Sequence, residues 1–81
     1  MTIDEVRRFF DAQPFMPFTF FLADGRQFPV VGREFIALSP LGRTAVVYQP
    51  DGMFDVIDLL LVTSLKAHVP DNGSPKRRGK R

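Results

Sequence analysis

The chain has 81 residues, a mass of 9.2 kDa and no cysteine, which suffices for one domain with one modest core and excludes disulfides, thiolate chemistry and cysteine-ligated metals. Hydrophobic residues make up 44% and charged residues 25%, the balance of an ordinary globular domain. Residues 1–70 carry six basic and eight acidic side chains, a net −2, while residues 71–81 carry five basic ones against Asp71, a net +4; the basic character belongs to the C-terminal segment and not to the body.

Thr2 followed three residues later by Glu5 forms a capping box, with Met1 and Val6 spaced as a hydrophobic staple. Asp4 and Glu5 stand where a helix dipole favours acids. Ile3, Val6 and Phe10 recur at helical spacing, and Pro14 ends the pattern, so the spacing predicts a helix over 3–12. From Phe18 the period becomes two. Phe18, Phe20 and Leu22 alternate with Thr19 and Phe21, Asp24-Gly25 follows, and Phe28 and Val30 alternate with Gln27 and Pro29. Two alternating runs joined by Asp-Gly predict a hairpin, with Pro29 facing a sheet edge and Gly32 at a bend.

Residues 34–39 read as a further strand, Pro40-Leu41-Gly42 as a turn, 43–49 as a strand and Pro50-Asp51-Gly52 as another turn. Residues 53–57 alternate as a strand, Asp58 to Leu60 read as one tight helical turn, and Leu61, Thr63, Leu65, Ala67 and Val69 form the inward set of the last strand. Phe18, Phe20, Phe28, Phe35 and Phe54 are expected to fill the core. Consecutive strands without helical crossovers pair antiparallel. The expected fold is α+β in one domain over 1–70: an N-terminal helix followed by a small, strongly bent antiparallel sheet or a five-stranded SH3/Sm-like barrel. Residues 71–81 contain no hydrophobic side chain and are expected to form a disordered basic tail.

The segments PFMPFTFFLADGR, EFIALSPLGRTAVVY and DGMFDVIDLLLVTSL together resemble a group of short uncharacterised bacterial proteins. Those share a Pro-Phe-x-Pro-Phe opening, a Leu-x-Asp-Gly-Arg hairpin and an Ile-Asp-Leu-Leu-Leu-Val-Thr ending. The resemblance spans about residues 2–67, excludes the tail and assigns no catalytic residue. In its order of helix, hairpin, bent second strand and short final strand the chain is also similar to Sm-like proteins. These form rings through their last two strands and bind RNA on the ring faces; their RNA-contacting motifs are not matched by Tyr48 or His68.

No motif for nucleophilic, phosphate-binding or metal chemistry is present. His68, the one histidine, falls on the outward set of the last strand without an orienting carboxylate and reads as a surface residue. Asp51, Asp55 and Asp58 read as turn, outward strand and capping residues. No catalytic residue, cofactor or small-molecule substrate is expected, so the chain reads as a non-catalytic interaction module. Phe9, Phe10, Phe15 and Phe21 exceed what a small core holds: either the helix covers them in its seam with the sheet, or they form an exposed patch for self-association or for binding a protein partner. The second expectation is nucleic-acid binding through Lys76, Arg77, Arg78, Lys80 and Arg81, whose charges can replace phosphate counterions. No apolar run approaches the ~20 residues of a membrane span. The charged N-terminus lacks a signal-peptide stretch, and the expected location is cytoplasmic.

Overall fold

The structure, a computed structural model, describes residues 1–68. One helix, α1 (Ile3–Phe10), is followed by six strands: β1 (Phe18–Leu22), β2 (Gln27–Val30), β3 (Ile36–Leu38), β4 (Thr44–Tyr48), β5 (Phe54–Asp58) and β6 (Val62–Ala67). The strands form two antiparallel three-stranded sheets, in the orders β2-β1-β6 and β3-β4-β5. The fold is therefore α+β with small sheets, as the patterning predicts. The chain crosses between sheets twice, each time through a single 3-10 turn, at Arg33–Phe35 and at Leu59–Leu61.

Helix α1 starts as its sequence dictates. The Glu5 amide donates to Thr2 Oγ1 at 3.3 Å, and the Glu5 carboxylate accepts from the Thr2 amide at 2.8 Å. Val6 is fully buried, while Ile3, Phe9 and Phe10 pack against the core from the same helix. The helix ends two residues before the predicted limit, and carbonyls at and beyond its end find another partner. Arg33 reaches across from the 3-10 turn, donating from Nε to the Phe10 carbonyl at 2.8 Å and from Nη2 to that of Ala12. Its guanidinium also lies 5.3 Å from the centre of the Phe15 ring, so one cation holds the helix terminus and the following loop.

The core gathers Phe18, Phe20 and Leu22 of β1, Val30, Ile36, Ala45, Val47 and Ile57 of the neighbouring strands, and Leu59 and Val62 at the return crossing. Phe18 and Phe20 are fully buried, with their rings edge to face at 5.4 Å. The Asp24-Gly25 hairpin forms as predicted, with Gly25 at φ +92°. Pro29 lies on β2, an outer strand of its sheet, where a missing amide leaves no ladder bond unmade.

Four expectations need correction. Residues 34–39 do not form one strand: the 3-10 turn occupies Arg33–Phe35 and β3 begins at Ile36. Phe54 is 59% exposed rather than in the core, because it shares a strand face with Val56 while Ile57 takes the buried face. Asp55 has the parity of Ile57 and is half-buried, not outward; the Gln49 side-chain amide donates to its carboxylate at 3.3 Å. On the last strand Leu65 and Ala67 pack inward as expected, but Leu61 and Thr63 are exposed, Val62 is buried, and Val69 lies outside the described residues. The register with β1 slips there: Phe21 pairs with Ser64 and Leu22 with Val62, leaving Thr63 as an extra residue. A bulge of one residue reverses which parity faces the core.

Candidate functional site

Tyr48, Phe54 and Val56, three of the exposed large hydrophobic residues, gather on the outer face of the second sheet. Alternation along β4 buries Ala45 and Val47 and turns Thr44, Val46 and Tyr48 outward. Along β5 it buries Ile57 and turns Phe54, Val56 and Asp58 outward. The register sets Tyr48 opposite Phe54 and Val46 opposite Val56, while on the other side of β4 Ala37 stands opposite Val46. Ala37, Val46 and Val56 thus form an apolar row across all three strands. Beside it lies the Tyr48–Phe54 aromatic pair, with ring centres 5.9 Å apart. Val56 is 65% exposed and Met53, which precedes β5, 66%. At the far end of the face Arg43 and Asp58 form an ion pair at 3.3 Å, so the apolar row has a charged border.

Two tight turns build this face. Gly52 at φ +94° closes the Pro50-Asp51-Gly52 turn, where the Met53 amide donates to the Asp51 carboxylate at 3.0 Å. That turn brings Phe54 back against Tyr48. At the other end of β5 the Asp58 carboxylate accepts from the Leu60 amide at 2.9 Å and starts the 3-10 turn, as its sequence position predicts. The Arg43 side chain and the Leu60 amide hold the Asp58 carboxyl below its usual pKa.

Phe9, Phe10, Phe15 and Phe21 are all half-buried. Phe9 and Phe15 lean on Phe18, with ring centres 5.6 and 5.8 Å from it. With Phe10 they form the seam between α1 and the first sheet. Phe21 lies on β1, on the face opposite Phe20. The structure brings three of the four together, but as packing on the core. Patterning alone places Phe54 in the core and singles out neither Val56 nor Tyr48 as a contact residue. The signal for them was present in Val46-x-Tyr48 and Phe54-x-Val56, two apolar pairs that a short turn places face to face.

Asp55, Asp58 and His68 each have separate partners. His68 Nε2 lies 2.8 Å from Thr19 Oγ1, which satisfies the buried Thr19 hydroxyl. Among the described residues no group of three or more His, Cys, Asp or Glu side chains is placed to hold a metal ion, and no helix is long and apolar enough to cross a membrane. Lys76, Arg77, Arg78, Lys80 and Arg81, with the predicted tail over 71–81, lie outside the described residues. No family model matches the chain, nor does any curated protein or solved structure.

Proposed function

We infer that the chain is a non-catalytic interaction module that associates with further copies of itself through its second sheet. The observation that carries this reading is the outward-facing row Ala37, Val46 and Val56 with the exposed Tyr48–Phe54 pair beside it. A contiguous apolar patch bordered by charge is the signature of a contact surface rather than of scattered surface hydrophobes. Tyr and Phe add contact area at low conformational cost. On the same reading the two sheets and the sharp passage through Gly32 make up a bent, Sm-like barrel. The order of helix, hairpin, bend, three strands, 3-10 turn and final strand on β1 supports it.

The test is molecular mass in solution by sedimentation equilibrium. The parent chain is expected to exceed 9.2 kDa as concentration rises. Replacing Tyr48 and Phe54 by Ser is expected to weaken association by about tenfold or more, as removal of central aromatic anchors does. A parent chain that stays at the mass of one copy removes the reading.

The second reading is nucleic-acid binding through Lys76, Arg77, Arg78, Lys80 and Arg81. It is favoured by the concentration of five cations in residues 76–81 on a body of net −2. It predicts little sequence preference and a slope of log K against log[salt] of about −3 on single strands, the value for four or five phosphate contacts. Deleting 76–81 removes binding on this reading; a truncated chain that still binds tightly contradicts it.

A further inference from the structure

Resting on the self-association reading, we propose that the partner copy joins edge to edge at β5, antiparallel and about a two-fold axis at Val56, so that the two second sheets become one six-stranded sheet.

The hydrogen-bond phase of β5 points there. In an antiparallel pair, bonded and non-bonded residue pairs alternate. The Gln49 amide donates to the Met53 carbonyl at 2.7 Å and the Leu59 amide to that of Arg43 at 2.9 Å. With the register between them, Asp55 and Ile57 spend their backbone groups on β4. Phe54, Val56 and Asp58 turn their N–H and C=O groups to the open side, where no strand lies among the described residues. Exposed unpaired backbone of this kind is a template for another strand.

The other three edges carry the features that discourage pairing. β2 contains Pro29, β3 has only three residues, and β6 carries Lys66 and the register slip at Thr63. β5 has five residues with no proline, glycine, lysine or bulge. Its two acids do not oppose one another in the proposed register. Across the axis Val56 faces its own copy, Phe54 faces Asp58 and Asp55 faces Ile57. The Asp58 carboxylate is already held by Arg43 and the Leu60 amide. The row Ala37, Val46 and Val56 then runs unbroken through both copies. An isologous contact of this kind closes at two copies.

Val56→Pro is the decisive variant, because the Val56 amide makes no bond within one chain and proline is tolerated at such an edge position. The parent is expected at twice the single-chain mass, and Val56→Pro at the single-chain mass with an unchanged circular dichroism spectrum. Amide hydrogen exchange gives the same answer without substitution: Phe54, Val56 and Asp58 are expected to exchange at least about tenfold more slowly at high than at low protein concentration. A parent that remains a single copy overturns the self-association reading itself. A parent that associates while these amides stay unprotected overturns the edge pairing and leaves a face-to-face contact, sensitive to the Tyr48 and Phe54 substitutions. A closed ring of more than two copies overturns the two-fold arrangement.

Discussion

At the scale of single residues, this fold depends on backbone conformation and on short polar contacts. Gly25 sits at φ +92° with nothing within 4 Å of where a Cβ would be, so a side chain there meets backbone strain alone. Gly25→Val is expected to cost at least about 1–2 kcal/mol, the penalty of left-handed backbone for a residue with a Cβ. Denaturant unfolding measures it, and a variant as stable as the parent means the turn is built differently. Glu5, Asp24 and Asp58 all titrate below their usual range. The Thr2 amide is the chief cause at Glu5, the Arg26 amide at Asp24 and the Arg43 side chain at Asp58. A carboxyl lowered in the folded state stabilises it above its unfolded pKa, and that stability is lost as pH falls through the lowered value. Thermal unfolding is therefore expected to be insensitive to pH near neutrality and to worsen below the ordinary carboxylate range. Because all three groups are exposed, the effect is small and weakens further in salt. Greater stability in acid than at neutrality contradicts this account. These residue-scale features were legible because each rests on neighbours within two or three positions: Thr2 with Glu5, Asp24 with Gly25, Asp58 with Leu60. The contact of His68 with Thr19 was not, since it joins residues 49 positions apart.

At the scale of elements, α1 is held more by its docking than by its own propensity, since eight residues are too few for a stable isolated helix. Thr2→Ala removes the hydroxyl that caps the Glu5 amide, and is expected to cost about 1 kcal/mol. Arg33→Met strands the Phe10 and Ala12 carbonyls, and is expected to cost about 1–3 kcal/mol and to loosen the Phe15 loop. Chemical denaturation of both variants checks this, and a larger loss for Thr2 than for Arg33 contradicts it. Helix, hairpin and turns were legible as elements because period and punctuation are local. The phase of β6 was not, because its bulge arises from pairing with β1 and leaves no mark in the alternation of its own residues. The contact of Arg33 with the end of α1 was hidden for the same reason: Arg33 comes from another element.

At the scale of the whole molecule, two three-stranded sheets share one small core, and Phe18 and Phe20 occupy its centre without exposure. Truncating either to Ala is expected to cost about 3–5 kcal/mol, a large part of the stability of a domain this size. The aromatic surplus visible in the sequence divides between a covered seam and an open face. The phenylalanines of α1 and the following loop close the seam over Phe18, while Phe54 joins Tyr48, Val46 and Val56 on an open face. Which of nine phenylalanines stays exposed depends on strand register and on how the sheets turn against each other, and both are settled only by the packed molecule. The central claim is that the second sheet is a contact between copies. Its most direct test is the concentration dependence of valine methyl NMR shifts. The account predicts that Val46 and Val56 shift on dilution while the buried Val6 and Val47 do not. Val46 and Val56 signals that stay unchanged from high to low concentration would contradict it.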